Sequence, residues 1–232
     1  MIGNHQDRKR YRYPRNRFMR WMLRTGIGLG VGLLTRLEVR GREHIPSGGP
    51  LLVVVNHFHF LDAAVLILSS PWPLEFLADF QMPNVPALLK LLPALYKTYD
   101  VAQGTPNLEA LRTSEAILEQ GGVLGIFPEG RLHNSLLKQA LPGAGFLALR
   151  TGAPILPVGI YSEDAWDIFG TIKREKRRMR GVCEFGEVFG PLGCENPRRP
   201  DRKEIDSAGI RIMSEIARLL PEEARGPFFE SL

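Results

Sequence analysis

With 232 residues, 44% of them apolar and 24% charged, the chain has the composition of one folded domain with room for a substantial core, which excludes a disordered segment. Two cysteines, Cys183 and Cys194, exclude a disulfide framework and a Cys-x-x-Cys zinc site, and they point to a reducing compartment. The formal net charge of +5 is unevenly spread: residues 1–24 hold eight basic residues against one acid, Asp7, and beyond them acids outnumber bases 24 to 22.

A basic tail of this kind suits anionic lipid or nucleic acid equally. The residues after it separate the two. Phe18, Met19, Trp21, Met22 and Leu23 lead into GIGLGVGLL at 26–34. Arg24 interrupts the apolar run, which falls short of the roughly 20 residues a spanning helix needs. No small-x-small cleavage site of a signal peptide follows. Residues 1–34 therefore read as a helical segment lying in the membrane interface. Trp21 and its apolar neighbours would be sunk, and the arginines would reach lipid headgroups. The alternative is a basic tail leading into a core helix. The glycines at 26, 28, 30 and 32 do not make a dinucleotide loop, because the third glycine of G-x-G-x-x-G would fall on Val31 or Leu33.

Residues 35–232 read as a single domain. Leu37–Val39 alternates with charged residues, and the Pro46–Pro50 cluster makes a turn. Leu51–Val55 is an apolar, β-branched run and predicts a buried strand. Leu61–Leu68 predicts a helix, stopped by Pro71 and Pro73. Leu74–Ala78 is a short strand and Val85–Leu95 a short helix. Thr105 and Pro106 start the next helix, which carries Leu108, Leu111, Ala116 and Leu118 on its apolar side and ends at Gly121-Gly122. Val123–Phe127 is a strand, Gly143–Arg150 a helix and Ile155–Ile160 a strand. Val182–Val188 alternates around Gly186, and Glu204–Leu220 is a closing amphipathic helix. Apolar strands alternating with helices mean an α/β fold, with a largely parallel sheet covered by helices on both faces. In such folds chemistry gathers where strands meet the following loops.

Two ionisable clusters occupy those positions. The first is NHFHFLD, residues 56–62. On a continuous helix, residues five apart are about 140° apart around the axis, so His57 and Asp62 meet only if the chain changes conformation between them. A strand ending before His57 and a helix beginning near Asp62 supply that change, and the helix dipole favours a carboxylate there. Asp62 would then hold one imidazole nitrogen of His57, leaving the other as a base. An imidazole suits the task because its ordinary pKa lies near neutrality. His59, three residues before Asp62, is the rival base. His57-x-His59 also resembles the start of a metal site, but no second His/Asp cluster completes it, and no metal is expected. The remaining reading is a capped helix start with histidines satisfied in the core.

The second cluster, Phe127-Pro-Glu-Gly130, begins 65 residues after Asp62. N-H-x-x-x-x-D after one strand and F-P-E-G after another resemble the glycerolipid acyltransferase family, whose members acylate lysophosphatidic acid. The resemblance runs from about Glu38 to Gly226. It includes Val39-Arg-Gly-Arg-Glu43, Pro142-Gly-Ala144, Leu156-Pro-Val158 and Phe185-Gly-Glu187. It implies that His57 is the general base and Asp62 its orienting partner. An acceptor hydroxyl would attack the thioester of acyl-CoA or acyl-carrier protein, with no covalent acyl-enzyme and no bound cofactor. Glu129 and Gly130 would line the acceptor side. The implied partners are a membrane lipid acceptor, the acyl donor and the membrane surface, with no nucleic acid. The implied location is peripheral or monotopic on a membrane, facing the cytoplasm.

The departures bear on the acceptor. The family often has N-H-x-S-x-x-D, and His59 stands at the serine position. Its F-P-E-G-T-R becomes FPEGRL, with Leu132 at the arginine position and Arg131 one residue early. Gln103, in TYDVAQG, stands where another arginine is usual. Those two arginines are held to bind the acceptor's phosphate, a bidentate task that leucine and glutamine cannot copy. Either Arg131 with Lys97 or Lys138 substitutes, or the acceptor is not a simple glycerol phosphate but, for example, an alcohol or amine without phosphate, with His133 as a second ligand for it; the plainer reading of His133 is a loop histidine in water. A thioesterase and a non-catalytic lipid binder are the readings from other classes. The run KREKRRMR at Lys173–Arg180 is open to CoA phosphates, an acidic carrier protein or lipid headgroups, against the default of a solvated basic loop.

Overall fold

The computed structural model describes residues 13–14, 16–78, 96, 99–100, 108–132, 136–164 and 168–231. The helix expected at 85–95, the Thr105–Pro106 helix start, Lys97, Gln103 and His133 lie outside these residues. In chain order the elements are α1 (Arg17–Leu34), β1 (Thr35–Arg40), a 3-10 turn (Arg42–His44), β2 (Leu51–Val55), α2 (Asp62–Ser69), β3 (Leu74–Ala78) and β4 (Tyr99–Asp100). There follow α3 (Leu108–Glu119), β5 (Val123–Ile126), α4 (Pro142–Thr151), β6 (Ile155–Ser162), α5 (Ile168–Glu175), β7 (Met179–Phe185) and α6 (Arg202–Ala217).

The strands form one sheet in the order β1-β7-β6-β2-β5-β3-β4. Only β6 and β7 pair antiparallel; every other neighbouring pair is parallel. Central β2 is buried at every residue, between β5 and β6. That is why it reads as an unbroken apolar run rather than an alternating one. Helices flank the sheet: α1 packs on α2, α4 packs on α6, and α6 lies against β6 and β2. The α4–α6 contact depends on glycine at 145, where a Cβ would run into the Ile205 carbonyl. A reciprocal cap starts α6, with Asp201 Oδ1 accepting from Glu204 N at 2.8 Å and Glu204 Oε2 accepting from Asp201 N at 2.7 Å. Both cysteines are free, and Cys183 is buried.

The expectation that the N-terminal arginines reach outwards is overturned for two of them. Arg20 is buried and grips Glu75, itself fully buried, through two bonds of 2.7 Å. Its guanidinium also lies 4.5 Å from the centre of the Tyr96 ring. Arg24 donates to the carbonyls of Ser70 at 2.7 Å and Leu68 at 3.0 Å. A buried carboxylate needs a partner and two free carbonyls need donors, so these side chains face the fold. The opposite face of α1 is apolar and open: Phe18, Trp21, Met22, Leu29 and Leu33 are exposed. Among the described residues no helix is long and apolar enough to cross a membrane.

Two further differences are local. β7 begins at Met179 and ends at Phe185, earlier than the expected 182–188, because Gly186 N turns to bond Pro157 O at 2.9 Å. The basic run 173–180 is not a loop throughout, since it spans the end of α5, a short turn and the first residues of β7.

Candidate active site

The site is built where β2 ends. Asn56 is stitched to the neighbouring β6 by two bonds of 2.7 Å, its Nδ2 donating to Ile160 O and its Oδ1 accepting from Ile160 N. The side chain thus continues the sheet ladder for one residue, and it fixes the direction in which His57 leaves. The His57 backbone N–H donates to Glu129 Oε1 at 2.8 Å. The chain then turns before α2, whose first residue is Asp62.

Asp62 is wholly buried and gathers three donors on one oxygen. Oδ2 accepts from Phe58 N and His59 N, each at 2.7 Å, and from His57 Nδ1 at 3.1 Å. Burial pushes its carboxyl above the ordinary carboxylate range, while the His57 ring and the two backbone donors pull against that. With the carboxylate on Nδ1–H, His57 presents Nε2 with its lone pair. The His57 side chain is 21% exposed, so the ring is reachable from outside. Its face stacks on Phe127, with centroids 4.1 Å apart and planes 25° apart, and Phe127 stacks in turn on Phe76. One orientation of the imidazole is therefore held by a bond at one edge and by a ring on one face.

The other expected residues fall in different places. His59 comes close to Asp62, but through its backbone; its ring Nδ1 accepts from Leu61 N at 3.3 Å. Burial, with His57 nearby, lowers its pKa to about 4, so the ring is neutral at pH 7. Glu129, expected to line the acceptor side, is 2% exposed. Its Oε1 takes the His57 N–H and its Oε2 takes the Lys138 N–H at 2.9 Å. It is a clamp between two backbone segments, and burial raises its pKa to about 7. Gly130 holds a left-handed φ of 66°, where a Cβ would strike Leu141. That turn carries Arg131 and Leu132 to the surface, where both are exposed. Gln103 lies outside the described residues. Among the described residues no three His, Cys, Asp or Glu side chains are grouped to hold a metal ion.

Asn56, read from sequence only as a possible helix cap, and Phe127 were not expected at the site, although each belongs to a motif that was. The asparagine before the histidine and the phenylalanine before Pro-Glu-Gly are the available signals.

A hydroxyl brought to Nε2 would find a base whose tautomer is fixed by a buried carboxylate. Several proteins resemble this chain in fold or in sequence. A solved structure of a 1-acyl-sn-glycerophosphate acyltransferase, PlsC, from Thermotoga maritima superposes with a TM-score of 0.55 at 21% identity, covering 89% of this chain and 85% of that one. A 1-acyl-sn-glycerol-3-phosphate acyltransferase of Borreliella burgdorferi is 26% identical over 61% of this chain and 58% of its own length. The alpha form of that enzyme in Homo sapiens is 26% identical over 82% of this chain and 67% of its own. A probable enzyme of the same name in Mycoplasma genitalium is 33% identical over 48% and 44%. The chain thus spans between about 44% and 67% of the length of these three sequence relatives. The model of the Acyltransferase family matches residues 36–161, more than half of the sequence and both motif clusters, and the protein belongs to that family.

Proposed function

We propose that the protein is a glycerolipid O-acyltransferase that moves a fatty acyl group from acyl-CoA or acyl-carrier protein to a hydroxyl of a lyso-lipid. The observation that carries this reading is the His57–Asp62 pair, 3.1 Å apart at the end of a central strand in a fold of this family. His57 Nε2 takes the acceptor's hydroxyl proton as the oxygen attacks the thioester carbonyl. The tetrahedral adduct collapses to the new ester, the C–S bond breaks, and the thiol leaves with the proton that His57 returns. Asp62 keeps Nδ1–H in place and stabilises the imidazolium between the two transfers. Glu129 acts as a positioning residue, since it is buried and its two oxygens hold the backbone N–H groups of His57 and Lys138. The His59 pKa, lowered to about 4, makes it a weak base, and its Nδ1 already accepts from Leu61 N, which argues against it as the base.

The exposed apolar face of α1 is the reason to put the enzyme on a bilayer surface, where its amphiphilic acceptor resides. Acyl-CoA and carrier protein are cytoplasmic donors, and the proposed location is the cytoplasmic face. Thiol release from acyl-CoA, measured with and without vesicle-borne lysophosphatidic acid, tests the reaction. Release that depends on acceptor supports transfer. Equal release without it makes the protein a thioesterase, and none with either donor leaves a lipid binder.

A further inference from the structure

A basic cavity of about 370 Å³ opens on the surface, lined by Arg36, Lys176, Arg177, Arg178 and Arg180. Three parts of the chain build it. Arg36 comes from β1, residues 176–178 from the turn after α5, and Arg180 from β7. The β1–β7 register sets Arg36 directly beside Arg180. Like charges at paired positions repel, and nothing in the fold requires them there.

Part of this charge is already answered. Arg177 makes a two-pronged pair with Asp164, at 2.8 and 2.7 Å, meets Glu175 at 2.6 Å, and serves the turn itself. Arg180 has Glu163 at 3.2 Å, with both side chains largely in water. Arg36 and Lys176 make no ion pair among the described residues. The cavity therefore keeps an excess of positive charge that a bound anion would balance.

Its position says which anion. Arg178 Nη1 donates to the Gly32 carbonyl at 2.7 Å, which ties the cavity to the last turn of α1. The exposed leucines 29 and 33 belong to that same end of the helix. An apolar stripe running into a basic cavity is the complement of a molecule with a hydrocarbon tail and a phosphate. We propose that the cavity holds the phosphate headgroup of an anionic phospholipid in the bilayer on which α1 lies. This rests on the membrane-surface reading above and adds a specific headgroup site to it. The site is at the end of the sheet toward which β2 and β6 run, the end that carries His57, so docking here turns that end toward the bilayer.

The test uses the full chain and co-sedimentation with two vesicle types, phosphatidylcholine alone and phosphatidylcholine with phosphatidylglycerol. Arg36→Gln with Lys176→Gln removes the two uncommitted charges. Each basic residue near an anionic surface contributes about fivefold to partition, so the pair should lose roughly 25-fold on anionic vesicles. Binding to neutral vesicles should stay as it is. Arg198→Gln with Lys203→Gln, two exposed bases elsewhere, should change little. An equal loss in that control would mean net charge alone, and would overturn the site. So would an unchanged preference for anionic vesicles in the first pair, with the membrane reading left standing. A raised KM for acyl-CoA with unaltered partition would assign the cavity to the donor's phosphates instead. If the unsubstituted protein binds neither vesicle, the membrane reading itself fails.

Discussion

At the scale of single residues, one oxygen organises the site. Asp62 Oδ2 serves the His57 ring and two backbone N–H groups together, so Asp62→Asn should both unsettle the turn and lose the orienting charge. His57→Ala should lower acyl transfer by about 10²–10⁴-fold at unchanged acceptor KM, and His59→Ala should be mild; a dead His59→Ala beside an active His57→Ala would exchange their roles. Glu129→Gln keeps one acceptor oxygen but turns an NH₂ toward the other N–H. A lost charge-assisted bond is worth about 1.5–3 kcal/mol, so kcat should fall roughly ten- to a hundredfold while the acceptor KM holds. The same two side chains set opposite pH slopes on stability. Folding raises the Glu129 pKa from 4.5 to about 7, so its contribution is full in acid and is lost as pH rises through that window. Folding lowers the His59 pKa from 6.5 to about 4, so its contribution is full above 6.5 and is lost as pH falls toward 4. Denaturant midpoints taken from pH 4 to 8 should therefore tilt toward higher pH in Glu129→Gln and toward lower pH in His59→Gln; parallel curves in the two variants would contradict both assignments. His57 and Asp62 were legible because residue type and a break in conformation sufficed to join them. The clamp role of Glu129 was not, since it depends on two backbone N–H groups that chain folding brings to it from positions 57 and 138.

At the scale of elements, the Arg20–Glu75 pair decides how α1 is attached. Two charges out of water are tolerable only together. Arg20→Ala should destabilise the protein by about 3–5 kcal/mol, because it takes the Arg20 guanidinium away from the buried Glu75 carboxyl. Arg20→Met with Glu75→Leu should recover most of that loss, and a double variant as unstable as the single one would show that packing rather than charge is at stake. Nothing in a run of arginines distinguishes the one that turns inward, which is why this anchor escaped the sequence. The central strands were readable because burial on both faces leaves a continuous apolar run, as in Leu51–Val55. The closing helix was expected from Glu204, but its Asp201-x-x-Glu204 box starts it at Arg202; the box is a local signal and was there to be used. Helix α5 is only eight residues and ends in basic residues that match a loop equally well.

At the scale of the whole molecule, α1 has two faces with separate duties, and they make separable predictions. The inward face holds Arg20 and Arg24 against β3 and the end of α2. The outward face is an apolar stripe of exposed side chains, Phe18, Trp21, Met22, Leu29 and Leu33. Deleting residues 1–34 removes both, so loss of vesicle binding in such a truncation is confounded with loss of the Glu75 partner. Replacing Trp21, Met22, Leu29 and Leu33 by glutamine touches the outward face alone. Each large apolar side chain contributes about 1.5–3 kcal/mol when fully buried, so even half-insertion of four should account for most of the attachment to neutral bilayers. The expected result is a protein with an unchanged denaturation midpoint and little partition onto phosphatidylcholine vesicles. Its kcat/KM should fall steeply for long-chain lyso-lipids in vesicles and hardly at all for a short-chain, monodisperse acceptor. A uniform loss on both acceptors would place these residues in the catalytic pathway. Unchanged partition would mean that the stripe is covered by something other than lipid. High salt gives an independent check: it should weaken the contribution of the basic cavity, which ions screen, and leave that of the stripe, so partition onto anionic vesicles should drop to the level of neutral ones and go no lower.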